Sequence, residues 1–264
     1  RIIFPLAIVA IAAKLDPISA INLSLNDPER YEQIVSGAHI GIAGFGGAFL
    51  TMVGLNFFFD GDKDVDWIRG LELALRRFSE VKAAEIGILL LLLYGISTML
   101  AEDEAMVFLS SGILGIITYI AVDAVGSLLD KVERKKMAAG AVRSGIGGFL
   151  YLEVLDASFS FDGVIGAFAL SNNMLIIAIG LSIGAMFVRS MTVHLVRAGT
   201  LSKYRFLEHG AFWAIIALGL IMLFSAKYHI SESITGLIGA VLIGISLLWS
   251  LRYNRKHGRQ TDTV

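Results

Sequence analysis

Three acids and two hydroxyls stand within ten consecutive residues of an otherwise apolar stretch: Glu153, Asp156, Ser158, Ser160 and Asp162, inside residues 147–166. An ionisable group at bilayer depth costs on the order of 3 kcal/mol by insertion scales, so such groups usually face a partner, a cavity or an ion. No lysine or arginine lies between Arg143 and Arg189 to neutralise these three. At about 100° per residue, Glu153, Asp156 and Ser160 share one helix face within about 60°. Asp162 falls on the opposite face of an unbroken helix. Gly163 and Gly166 offer a place to unwind, which would swing Asp162 and the neighbouring carbonyls toward the same cavity. Carboxylates, hydroxyls and exposed carbonyls are hard oxygen donors, suited to manganese, magnesium or calcium. The expected metal-ligating set is therefore Glu153, Asp156, Ser160 and Asp162. The competing reading has the acids protonated or hydrogen-bonded to adjacent helices, where they fix packing alone.

The elements that must position this set are read from hydropathy. Of the 264 residues, 56% are hydrophobic and 17% charged, and the mean hydropathy is +0.73. One water-soluble core of this size does not hide so much apolar surface. The chain has no cysteine, which excludes disulfides, thiolate metal sites and a cysteine nucleophile. A net charge of −1 gives no field to recruit nucleic acid, and none is expected as a partner. The expected fold is all-α, a polytopic transmembrane helix bundle whose partner is the lipid bilayer. About eight spans are predicted: Ile2–Ala13 (partial, as if the chain begins partway through a helix), Ala38–Phe59, Ala84–Leu100, Ala105–Leu129, Ser144–Leu170, Met174–Val196, Ala211–Ala226 and Ile234–Leu251.

Lysine and arginine set an orientation. The tail holds Arg252, Arg255, Lys256 and Arg259, and the loops around Arg197–Glu208, Asp130–Arg143 and Asp60–Lys82 are also basic. The alternate loops, Lys14–Gly37, Ala101–Glu104, Ser171–Asn173 and Lys227–Ser233, hold few or no basic residues. The C-terminus is therefore expected in the cytoplasm. Tyr31–His39 and Tyr204–Ala211 each lead into a Gly-rich span and echo one another faintly. By the charge rule their spans run in opposite senses, the pattern of an inverted-repeat transporter. The expected organisation is one membrane domain over 1–264. It divides into a first half-repeat (1–100), a linking span (105–129), a second half-repeat (144–252) and a tail (253–264).

Other groups are weaker candidates. Asp60, Asp62, Asp64 and Asp66 alternate like the start of a calcium loop, but the sixth position is Val65 and the twelfth Leu71, so a solvated acidic turn is expected. Trp67, Leu71, Leu75 and Phe78 have the spacing of an interfacial amphipathic helix. The segment Asp16–Val35 carries Asp-Pro twice and reads as turn-rich, with a short helix near Glu29–Val35. Glu102–Glu104 reads as an external acidic turn. Asp123 lies near the cytoplasmic end of its span, with structural and functional readings both open. His39 and His209 sit at span edges, where an interfacial hydrogen bond is favoured over metal ligation. Arg189 and His194 are expected to reach for headgroups. Gly41, Gly44, Gly46 and Gly47 point to close helix packing, since no phosphate-loop Lys-Ser/Thr follows.

The stretch from Asp156 through Asp162 to Phe168-Ala169 resembles the second signature of the TerC/Alx family, where two aspartates six apart precede a small and apolar run ending Phe-Ala. Arg189 and then Phe206-Leu207-Glu208-His209-Gly210 follow in the family's order. The nearest branch is a membrane domain of unknown function. The resemblance implies a multi-pass bacterial inner-membrane protein tied to export of divalent metal, chiefly manganese, and to tellurite resistance. It also implies acids from two inverted half-sites along the ion path. Gly163-Val164-Ile165 stands where the family has Ser-Ile-Pro, and the N-terminal motif helix of the first half has no counterpart here. The expected function is thus a transporter exporting a divalent cation, with no catalytic residue, no resident cofactor and homo-oligomerisation left open. A membrane scaffold with structural acids is the alternative. An intramembrane aspartyl protease pairing Asp123 with Asp156 is disfavoured, because its Gly-x-Gly-Asp motif is missing.

Overall fold

The computed structural model describes residues 16–59, 67–68, 70, 72, 83–138, 174–197, 204–228, 230 and 232–257. Of these described residues 89% are helical and none is in a strand. The helices are α1 (Pro17–Asn26), α2 (Pro28–Gly37), α3 (His39–Phe59), α4 (Ala84–Ser97), α5 (Glu102–Ala138), α6 (Met174–Arg197), α7 (Leu207–Ser225) and α8 (Glu232–His257). Four stretches are long and apolar enough to cross a membrane: α3, residues 102–125 of α5, α7, and residues 234–256 of α8. The protein is accordingly an all-α chain with the elements of a membrane protein. The predicted spans at 2–13 and 144–170 lie outside the described residues.

Several expectations are corrected at helix ends. The Asp-Pro pairs open two helices rather than making a turn-rich segment. Asp16 accepts the N–H groups of Ile18 (3.1 Å) and Ser19 (3.0 Å) and the Ser19 hydroxyl (2.6 Å), while Pro17, whose missing N–H would have been orphaned anyway, takes the first helical position. The Ser19 hydrogen bonds hold the Asp16 carboxyl below its usual range. Asp27 repeats the device, accepting from Arg30 N at 3.2 Å. Glu102, Asp103 and Glu104 are likewise the first turn of α5, where carboxylates meet the positive end of the helix dipole. That helix continues to Ala138, so much of the basic loop expected at 130–143 is helical. Finally, α4 has only 14 residues, about 21 Å at 1.5 Å each, which is short of the roughly 30 Å hydrocarbon layer.

The bundle is organised around α3. In the 18 most apolar consecutive residues of its span 83% are buried, against 11% in those of α8. Lipid gives helices no hydrophobic reason to associate, so they associate where small residues let backbones approach. One side of α3 meets α5: a β-carbon on Gly44 would stand 2.6 Å from the Phe108 carbonyl, and one on Gly115 would strike the Phe45 carbonyl. The other side meets α7. A β-carbon on Gly219 would lie 2.8 Å from Thr51 N, and one on Gly47 would lie 2.9 Å from the Gly219 carbonyl. Thr51 turns its hydroxyl back to Gly47 O (2.7 Å), so the crossing buries no unsatisfied oxygen there.

These contacts also fix directions. Positions 44, 45 and 49 of α3 meet 108, 115 and 119 of α5, so the two helices run parallel. Positions 46 and 54 meet Met222 and Ile216, so α7 runs against α3. Gly210 abuts Ser246, and Phe206 N donates to Ser250 Oγ (2.9 Å), so α8 runs against α7. The C-terminal ends of α3 and α8 and the N-terminus of α7 therefore share one end of the bundle.

Candidate functional site

At that shared end a carboxylate is buried. Glu72 is only 3% exposed, although it follows α3 in the stretch where an amphipathic helix would have turned it to water. Its burial is tolerated because donors converge on both oxygens. Trp67 N donates to Oε2 at 2.9 Å, Ile68 N to Oε1 at 3.2 Å, and the indole Nε1 of Trp213 on α7 to Oε1 at 3.1 Å. The first two bonds fold the 67–72 segment on itself, much as a glutamate in a first helical turn reaches back to orphan N–H groups. The third fastens that segment to a helix 141 residues away in sequence. His209 Nε2 lies 3.7 Å from Oε2, in ion-pair range when the imidazole is protonated.

An aromatic wall encloses the pair. Phe57 stacks on Phe212 with ring centroids 3.7 Å apart and meets His209 edge-on at 5.3 Å, while Phe58 lies 4.5 Å from the Trp213 ring. Trp67 meets Trp249 of α8 at 6.3 Å. All three tryptophans of the chain thus gather here, beside the exposed Arg205, Arg252, Arg255 and Lys256. Tryptophans with cations just beyond them mark the level of a membrane interface. The arrangement can hold three chain segments together.

The structure bears unevenly on the sequence candidates. Glu153, Asp156, Ser160 and Asp162, and with them Ser158, lie outside the described residues, as do Asp60, Asp62, Asp64 and Asp66. Among the described residues no three His, Asp or Glu side chains gather as a metal site would require. Asp123 is exposed on α5, and Arg189 and His194 are exposed on α6. His39 is half-buried at the start of α3. His209 is buried against Glu72, a pairing the sequence does not announce. The one local hint for Glu72 is its place four residues after Ile68 in a predicted first turn.

The profile of one family, described as Protein of unknown function (DUF475), matches residues 1–257. The chain belongs to the DUF475 family. No curated protein and no solved structure matches it. Family membership assigns no chemistry, which rests on the residues themselves.

Proposed function

We propose that this DUF475 chain is a transporter that exports a divalent cation, manganese first among candidates. The observation that carries the reading is the density of hard oxygen donors, Glu153, Asp156, Ser160 and Asp162, in an apolar stretch with no basic residue from 144 to 188. Likeness of that stretch to the TerC/Alx signature supports the same reading, as does the family's implied setting in a bacterial inner membrane. The C-terminus is placed in the cytoplasm on the lysine and arginine distribution. The parallel course of α3 and α5 and the opposed courses of α7 and α8 agree with that alternation. Eight spans in two inverted half-repeats, 1–100 and 144–252 around a linking span at 105–129, remain the proposed organisation.

In this scheme the cation binds the carboxylates near the midplane, and one half rocks against the other to expose it outside. Moving a double charge against 100 mV costs about 4.6 kcal/mol, so export requires coupling, and protons competing for the same carboxylates supply it. The buried Glu72–His209 pair stands at the proposed inward end of that path. Manganese tolerance of cells carrying the full-length protein tests the reading. Asp162→Ala and Asp156→Asn should abolish tolerance while the proteins still insert; full tolerance in both would reject the proposal. The scaffold reading would instead gain from partners that co-purify with a protein whose melting temperature ignores manganese.

A further inference from the structure

One surface of the described structure is both strongly cationic and strongly apolar, and neither the buried carboxylate nor the proposed ion path uses it. On α8, Ile234, Leu237, Val241, Ile245 and Leu248 are exposed, and at about 100° per residue they fall within about 60° of Arg252. Lys256, one turn after Arg252, continues the same stripe beyond its apolar part, and Trp249, 55% exposed, stands where the two parts meet. A second element adds to the cationic end. Arg205 donates Nη1 to the Tyr253 hydroxyl at 3.2 Å and lays its guanidinium 5.2 Å from the centre of the Tyr253 ring. Phe206 is tied to Ser250 by its N–H and meets Tyr253 edge-on at 5.6 Å, so the turn bearing Arg205 is locked to α8. Among the described residues no acid pairs with Arg205, Arg252, Arg255 or Lys256; the exposed Glu208 is the closest carboxylate along the chain to Arg205.

We propose that this end of α8, together with the Arg205 turn, binds the headgroup of an anionic phospholipid, whose acyl chains lie along the apolar stripe. Charge complementarity selects the occupant: exposed cations from two elements tied together at Tyr253 stand at this end with no acid paired to them among the described residues, and a phosphodiester accepts from guanidinium groups in their preferred forked geometry. Continuity selects a lipid over a free anion, because the cationic end opens directly onto a helix face that carries exposed leucine, isoleucine and valine. Tyr253 positions Arg205, and Trp249 sits at the depth of the glycerol backbone, where amphipathic rings prefer to lie. The inference is independent of any transported cation.

Native mass spectrometry of the purified full chain in a non-ionic detergent tests it, with phosphatidylglycerol and phosphatidylcholine added in parallel. Phosphatidylglycerol should be retained at least tenfold better. Arg205→Gln, Arg252→Gln and Lys256→Gln should each weaken its retention about fivefold, the worth of one basic side chain near an anionic surface. Tyr253→Phe should cost about twofold, and Lys227→Gln, at the opposite end of the bundle, should change nothing. Raising salt should weaken phosphatidylglycerol and spare phosphatidylcholine in the unmutated protein, a readout that survives misfolding of any variant. Equal retention of the two lipids overturns the proposal. So does a Lys227→Gln loss matching that of Arg252→Gln, or full competition by soluble glycerol phosphate, which would make this a site for a free anion.

Discussion

Helices α3 and α8 are both long, apolar and rich in glycine, yet they occupy opposite environments. Every glycine of α3 is pressed against a neighbour: Gly41 and Gly44 against α5, Gly46, Gly47 and Gly54 against α7. On α8, a β-carbon on Gly236 or Gly244 would meet nothing within 4 Å, and one on Gly239 would reach only ordinary contact. The same residue is thus a requirement for backbone approach in one helix and a conformational weakness in the other. Composition marks both as candidate spans, but only the neighbours say which one forms the centre and which faces outward.

The contrast breaks most visibly at the α3–α7 crossing. Gly219→Val places a branched side chain where the Thr51 backbone nitrogen is already 2.8 Å away, and backbone cannot step aside as a side-chain end can. Loss of at least about 3 kcal/mol is expected, seen as a collapse of the folded fraction on titration with a denaturing detergent. Glu72→Ala comes next. It leaves three part-buried N–H groups without their acceptor and should cost about 3 kcal/mol. Because all three tryptophans lie at that end, their emission should shift to the red before helicity falls. Glu72→Gln keeps one acceptor oxygen and should recover part of the loss.

Smaller effects sharpen the comparison. Gly236→Ala on α8 should stabilise by about 0.5–1 kcal/mol, since it removes backbone freedom and meets no neighbour. Gly46→Ala in α3 meets only the flexible methyl end of Met222, so its cost should stay under about 1 kcal/mol, well below that of Gly219→Val. Similar melting temperatures for Gly236→Ala and Gly219→Val would refute the assignment of centre and periphery. A further signal lies outside the spans. Tyr31 on α2 is fully buried, and burial pushes its phenol up to about 12 from 10.0. Its neutral form therefore contributes stability that is fully present below pH 10 and is lost as pH rises from 10 toward 12. The late step in tyrosinate absorbance should vanish in Tyr31→Phe.

How much of this was legible in the sequence follows from the range of each interaction. The Gly41–Gly47 crowding reads correctly as close packing, because small residues in an apolar helix have few other uses. Asp16-Pro17 and Asp27-Pro28 misread as turns because Asp-Pro serves equally as a turn and as a cap followed by a first helical residue; the deciding hydrogen bonds lie two or three residues further on. Glu102–Glu104 misread for the same reason. Glu72 was illegible in kind: its burial depends on Trp213 and His209, and nothing local records that a helix so distant in sequence will arrive beside it. The acids at 153–162 are the reverse case. They lie outside the described residues, so the proposed function depends on what their type and spacing suggest.

Ion flux through the reconstituted protein therefore tests the account most directly. Vesicles enclosing a manganese-quenched dye, with the full-length chain in their membrane, should quench when manganese is added outside and the lumen is the more acidic side, so that protons leave as manganese enters. Asp156→Asn and Asp162→Asn should bring the rate down to that of protein-free vesicles, while Asp123→Asn should leave most of it. Quenching in the two variants at the unmutated rate, or no flux of manganese, magnesium or calcium through the unmutated protein, would contradict the claim that those carboxylates carry a cation.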